Sequence, residues 1–318
     1  VRLRPLLGAP GALALALGVA STAVGGVGIV SEATPTRVRA RARVAALGAP
    51  LATHPELRAP LRYRAVGCVA RGGAVAHFNG PSRREVALTF DDGPSPLTLR
   101  FVRMLRAEDV KATFFMLGKQ LSSGYRGVLA EELRDGDALG DHSWSHPNLV
   151  FSSEARSQLA GTKGAIASLS GYTPCVFRPP YGAFDGSVLH TASSLGLATV
   201  IWNVDPRDWA LPGVGSIEAT VLAQVRPGSI VLSHDGGGPR AQTLAAYPHI
   251  IAALRRRGYR FATVPELLGY PTVYQQCRSD CGEAAIQGRP PRGSIVQAPG
   301  SRALDAWRSL APASILSR

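Results

Sequence analysis

Between residues 84 and 269 the hydrophobic period switches repeatedly between two and about 3.6, and that alternation limits the possible folds more than any other feature. Short apolar runs at 86–90, 112–116, 138–141, 175–178, 199–204, 229–233 and 259–264 read as strands. The segments between them carry apolar residues three or four apart. They read as helices over 96–108 (Leu97, Phe101, Leu105), 126–134 (Leu129, Leu133), 153–169 (Leu159, Ile166, Leu169, capped by Ser153), 186–195, 216–225 and 243–257 (Ile250, Ile251, Leu254). Gly196 and Gly258 end two of these helices. Parallel strands need such a crossover between them, so the pattern predicts a parallel β/α barrel or a doubly wound sheet. A chain of 318 residues has room for one domain of that size plus tails.

The polar residues are not scattered over this pattern. Asp91 and Asp92 follow the first strand, His142 and His146 the third, and Arg178 and Tyr181 the fourth. Asp205, Asp208 and Trp209 follow the fifth, and His234 and Asp235 the sixth. In β/α barrels the active site forms at that end of the strands. Asp91-Asp92-Gly93-Pro94 taken alone reads as a surface turn. If strand geometry persists through it, the two carboxylates point to opposite sides and take different tasks. His142 and His146 are four apart, the spacing that puts two imidazoles on one face of a helical turn, with Asp92 within reach as a third ligand. Two His and one carboxylate leave coordination positions open, as a catalytic metal site does. Ser143 and Ser145 are not expected to act as nucleophiles. The run Asp235-Gly236-Gly237-Gly238 lacks the lysine of a phosphate-binding loop. Tyr172, His190 and His249 are expected to be structural or exposed.

Five stretches stand in order: Thr89-Phe90-Asp91-Asp92-Gly93-Pro94, His142-Ser143-Trp144-Ser145-His146, Arg178-Pro179-Pro180-Tyr181-Gly182, Asp205-Pro206-Arg207-Asp208-Trp209 and Ile230-Val231-Leu232-Ser233-His234-Asp235. With them, residues 84–269 resemble the polysaccharide deacetylases, the NodB homology domains of carbohydrate esterase family 4. The resemblance implies a distorted (β/α)7 barrel and metal-dependent removal of N- or O-acetyl groups from glycans. It implies that Asp92, His142 and His146 hold a divalent metal, zinc with cobalt or nickel as substitutes. It further implies Asp91 as general base, Arg178 as the group that keeps it ionised, His234 as general acid and Asp208 as its hydrogen-bond partner. The Tyr181 backbone N–H would bind the oxyanion, and Trp209 and Leu232 would line the acetyl pocket. No position of this set is substituted, so an inactive relative is not expected. The expected substrate is the N-acetylated amino-sugar glycan of peptidoglycan, with chitin, chito-oligosaccharides or acetylated xylan as alternatives. A glycan-binding wall protein without turnover and a hydrolase of non-sugar amides are the rival readings.

The ends of the chain bear on its address. Arg2 and Arg4 form a basic lead, and residues 5–31 carry no charge until Glu32. This reads as a signal peptide, with a small-residue cleavage site at Ser21-Thr22-Ala23, or as a membrane anchor. Residues 32–83 read as a linker and N-terminal extension, and 270–318 as a tail without pattern. A monomer is expected, secreted or held on the outer face of the cytoplasmic membrane in contact with the wall. The net charge of +13 suits an anionic partner or simply reflects arginine-rich codon usage. No basic run interleaved with aromatics points to nucleic acid. The four cysteines, Cys68, Cys175, Cys277 and Cys281, suit an oxidising compartment. Three pairings are open. A bridge from Cys68 to the tail, with Cys175 free in the core, is the favoured one. Cys277 and Cys281 lack the second pair that a structural zinc site would need.

Overall fold

The computed structural model describes residues 61–277 and 285–299. Two strands precede the alternating region, β1 (Arg62–Cys68) and β2 (Ala76–His77). The alternation follows as β3 (Glu85–Gly93), α1 (Thr98–Ala107), β4 (Thr113–Met116), α2 (Arg126–Asp135), β5 (Ala138–Asp141), α3 (Ala155–Ser170) and β6 (Val176–Phe177). It continues with α4 (Gly186–Ser194), β7 (Ala198–Val200), α5 (Val214–Gln224), β8 (Ser229–Val231), α6 (Ala241–Arg256), β9 (Arg260–Phe261) and α7 (Val264–Leu267). Three strands close the described chain: β10 (Thr272–Gln276), β11 (Ala285–Gln287) and β12 (Ile295–Gln297).

The strands from β2 to β8 form one parallel sheet in the order β2-β7-β6-β5-β4-β3-β8, and β9 pairs with the start of β3. The sheet curls into a distorted barrel. Beyond β7 the chain reaches β8 through a parallel bridge between Val204 and Val231, and Leu232 N–H donates to Val204 O at 2.9 Å. Asn79, just past β2, bridges Ser229 in the same gap. The strand expected over 259–264 is shorter than the sequence suggests, because the segment passes directly into α7. There Thr263 and Glu266 form a reciprocal capping box that starts a helix at Val264. The helix expected from Ser153 begins at Ala155 with no side-chain cap.

Alternate residues of β3 supply the core. Phe90 is fully buried and packs its ring against Phe101 of α1, Phe114 of β4 and Tyr247 of α6, with centroids 4.8–5.3 Å apart. The expected helix stripes face this core: Phe101, Leu105, Leu129, Ile250 and Leu254 are buried. Each such side chain contributes about 1.5–3 kcal/mol of burial free energy, which holds the strand ends in fixed positions.

Two expectations about the flanks are corrected. The tail after 270 is not without pattern, and the extension carries strands within 61–83. β1 pairs antiparallel with both β10 and β11, and β12 pairs parallel with β10. These strands pair across about two hundred residues of sequence, so no local turn announces them. Cys175 is not free: it is bonded to Cys68, 107 residues away, which fastens the end of β1 to the chain just before β6. Cys277 is disulfide-bonded as well, and Cys281 lies outside the described residues. Among the described residues no helix is long and apolar enough to cross a membrane. The segment 5–31, read as a signal or anchor, lies outside them.

Candidate active site

The two aspartates at the end of β3 converge on one mouth because the strand is broken between them. Asp91 keeps its register, opposite Phe115 of β4, and its N–H donates to Ser233 O at 2.9 Å. Asp92 is then skipped in the ladder, which resumes at Gly93, and its φ is 70°. This bulge corrects the expectation of opposite-facing side chains. The glycines after Asp235 make room for the swing. A Cβ on Gly237 would stand 2.3 Å from Asp92 Oδ2, and one on Gly236 would stand 1.9 Å from the Asp92 carbonyl oxygen. The glycine run therefore has a packing role that its sequence alone does not disclose.

His142 and His146 do not lie on a helical turn as their spacing suggests. They flank a compact non-helical loop after β5, with Ser143 and His146 both in the left-handed region. Asp141 Oδ1 accepts the Ser143 N–H at 2.8 Å, and Ser143 Oγ accepts the His146 N–H at 3.1 Å. These bonds replace helical ones and still bring the two rings to 5.0 Å. Both Nε2 atoms lie 3.6 Å from Asp92 Oδ1. His142 Nδ1 is 2.7 Å from the Arg178 carbonyl oxygen. A carbonyl only accepts, so the proton sits on Nδ1 and the Nε2 lone pair faces Asp92. Burial, aided by neighbouring His142, lowers the pKa of His146 and favours its neutral, ligating form. Asp92 Oδ1 is buried without a hydrogen-bond partner. An orphaned carboxylate oxygen facing two imidazole lone pairs fits a divalent cation, and Asp92, His142 and His146 form the candidate metal site.

Two buried pairs flank it. Arg178 is completely buried, stacks 4.2 Å above the Phe115 ring, and donates from Nη1 to Asp91 Oδ1 at 2.8 Å and Thr89 Oγ1 at 2.6 Å. Burial pulls its pKa down, against the opposing pull of Asp91. On the far side, His234 Nδ1 lies 2.8 Å from Asp208 Oδ1. Asp208 Oδ2 accepts the His234 N–H at 2.9 Å and the Thr243 hydroxyl at 2.8 Å. Burial works against the charged form of His234. The hydrogen bond and charge of Asp208, with Asp91 and Asp92 behind them, outweigh it and raise the pKa. Sequence reading missed Thr243, whose only signal is its place in the first turn of α6.

Asp91, Asp92, His142, His146, Tyr181, Trp209, Leu232 and His234 line one pocket of about 440 Å³. Arg178 and Asp208 stand behind its wall. Trp202, Asp205 and Pro179 complete the lining; Asp205 stands among the strand-end polar residues without an assigned role, and Trp202 and Pro179 have none. Trp209 is half exposed at the rim while Leu232 is buried, and the Tyr181 ring stands 4.6 Å from that of His146. Non-glycine residues in the left-handed region gather here: Asp92, Ser143, His146, Tyr181, Arg207 and Leu211. Such strain concentrates where loops are bent to a functional purpose.

A parallel barrel with a two-histidine, one-carboxylate site, a buried Asp–Arg pair and a buried Asp–His pair at its carboxyl end defines a metal-dependent hydrolase. A family model described as polysaccharide deacetylase matches residues 79–200. A peptidoglycan-N-acetylglucosamine deacetylase of Bacillus cereus is 40% identical over 191 residues, which cover 58% of this chain and 88% of the relative. A chitooligosaccharide deacetylase of Bradyrhizobium is 38% identical over 199 residues, covering 58% and 90%. Among solved structures, the Bc1960 peptidoglycan N-acetylglucosamine deacetylase superposes with a TM-score of 0.58 at 35% identity, over 60% of this chain and 92% of that one. The chain belongs to the polysaccharide deacetylase family, carbohydrate esterase family 4.

Proposed function

We propose that the chain is an exported, monomeric N-deacetylase of amino-sugar glycans that acts on peptidoglycan and uses zinc. The observation that carries this reading is the convergence of Asp91, the Asp92–His142–His146 site and His234 on a single pocket. A divalent cation held by Asp92, His142 and His146 would polarise the acetyl carbonyl and acidify a water molecule. Two nitrogens and one oxygen suit zinc, and cobalt or nickel would substitute. Asp91, paired with Arg178 at 2.8 Å, would take the proton of the attacking water. The Tyr181 backbone N–H would donate to the oxyanion as the carbonyl becomes tetrahedral, a contribution of about 3–4 kcal/mol for one well-placed donor. An amine is a poor leaving group unless protonated as the C–N bond breaks. His234, kept protonated by Asp208, would supply that proton. Trp209 and Leu232 would receive the acetyl methyl, with Trp202 as further apolar wall.

The uncharged run at 5–31 and the disulfides favour export to the wall side of the membrane. The relatives' names divide between peptidoglycan and chitooligosaccharides, so the second substrate is a chito-oligosaccharide. Mass spectrometry of muropeptide glycans and chitotetraose, before and after incubation with protein loaded with zinc, cobalt or nickel, tests the reading. Loss of acetyl groups that is abolished by chelation is expected. No deacetylation of either glycan with any of the three ions would overturn it.

A further inference from the structure

We propose that the face of the barrel opposite the pocket is a docking surface for a phosphodiester polyanion, independent of the deacetylation site. The parallel strands put the pocket at their carboxyl ends, so whatever precedes a strand lies on the other side. Arg84 immediately precedes β3, Arg226 leads into β8, Arg256 is the last residue of α6, and Arg257 lies between α6 and β9. All four are exposed.

Arg84, Arg226 and Arg257 form one cluster, joined through Arg257 and the end of α5, and Arg256 adjoins Arg257 in the chain. Arg84 Nη1 donates to Arg257 O at 2.7 Å, and Arg257 Nη1 donates to Leu222 O near the end of α5. Arg226 Nη1 donates to Ala223 O at 2.8 Å and Val225 O at 2.9 Å. These acceptors are main-chain carbonyls at or near helix ends, which orient the cations and offset only part of their charge. None of the four is in an ion pair among the described residues. The acids nearby are spent on the flanks, Glu108 on Arg255 and Glu85 on Arg260. The cluster is therefore net positive and unmatched, and arginine's planar fork is suited to phosphate oxygens.

A bilayer surface would call for apolar or aromatic side chains beside the cations, to enter the headgroup layer. None of the large exposed apolar side chains belongs to the segments that carry this cluster. A soluble, linear, phosphate-bearing polymer fits the surface better. Docking on this side would leave the pocket facing away from the polyanion and free for glycan.

The test is fluorescence anisotropy of labelled poly(glycerol phosphate) titrated with the metal-loaded protein, with phosphatidylglycerol vesicles as a second arm. Four phosphate contacts predict a salt slope of about −3, or about a 50-fold loss of affinity between about 50 and 200 mM salt. Replacing Arg84, Arg226, Arg256 and Arg257 by Gln should abolish this binding, and replacement by Lys should restore most of it. Both variants should deacetylate chitotetraose, or the muropeptide glycan if that is the substrate, as the parent does. Because Arg256 makes no side-chain hydrogen bond or ion pair among the described residues, Arg256→Gln alone should leave folding unchanged and weaken binding several-fold. Failure of the parent to bind the polymer, equal binding by Arg256→Gln and the parent, or binding to vesicles but not polymer would each overturn the proposal. Loss of deacetylation in every protein with polymer binding intact would count against the proposed activity instead.

Discussion

Removing Arg178 should destabilise the barrel strongly, and much of that loss should vanish when Asp91 is changed as well. The guanidinium is fully buried, and Asp91 is 2% exposed. Arg178→Leu leaves a buried carboxylate with its cation gone. It also removes the donor to Thr89 Oγ1 and the donor at 3.2 Å to Ile201 O. Breaking a buried pair from one side costs about 3–5 kcal/mol. For a domain of this size that lowers the melting temperature by about 6–20 °C, at about 2–4 °C per kcal/mol. Asp91→Asn leaves the opposite charge unpaired and should cost a similar amount. The double variant carries neither charge, so its loss should fall short of the sum of the singles by about 2 kcal/mol or more. Urea unfolding of the four chelator-treated proteins supplies the cycle, with bound metal excluded as a source of stability. Additivity within about 0.5 kcal/mol would mean that the pair is not the coupled unit its 2.8 Å contact implies.

Asp208→Asn removes the charge that raises the pKa of His234. A general acid must be protonated, so the alkaline limb of the kcat/KM profile should move to lower pH, and an unmoved limb would remove His234 from that role. Asp91→Asn should still bind one zinc per chain yet lose turnover by several orders of magnitude, whereas His142→Ala should lose the metal itself. Isothermal titration calorimetry with zinc separates the two, and equal metal affinity in both would contradict the ligand assignment. Gly237→Ala puts a methyl group 2.3 Å from Asp92 Oδ2. It should weaken zinc binding by about 10–100-fold, the effect of disturbing a ligand's support, with far-ultraviolet circular dichroism unchanged.

What the chain discloses to a reader of its sequence follows the range of the interactions involved. The strand at 138–141 is reproduced as β5, and the helix at 126–134 differs from α2 by one residue, because hydrophobic period and flanking glycine are local signals. The site residues were legible for the same reason, since each sits at the end of a strand that could be located. Their conformations were less so. A spacing of four is shared by a helical turn and by the His142–His146 loop, and only the bonds from Asp141 and Ser143 select the loop. Asp92 reads as the next strand residue until Gly236 and Gly237, more than 140 positions away, are seen pressed against it. The β1–β10 pairing and the Cys68–Cys175 bridge are wholly non-local, so the strands flanking the alternating region leave no local trace in the sequence. Trp202 enters the pocket from a segment that resembles any core strand, and Asp205 stands at a strand end with no role assigned to it.

The cost of this arrangement clarifies why the barrel is built as it is. Six non-glycine residues around the pocket hold left-handed φ values, at about 1–2 kcal/mol each. Together that is about 6–12 kcal/mol, comparable to the whole net stability of an ordinary domain. One buried and one half-buried imidazole, an orphaned carboxylate oxygen and a buried guanidinium lie in the same few ångströms. None of these groups would hold its position on its own. The aromatic packing around Phe90 and the parallel ladder fix where each strand ends, and the loops absorb the strain only after the ends are fixed. A divalent ion held by Asp92, His142 and His146 would act on the same balance, because it would give the orphaned oxygen a partner. Metal affinity and folding stability should therefore rise and fall together in variants of these loops, while variants on the opposite, arginine-bearing face should move neither.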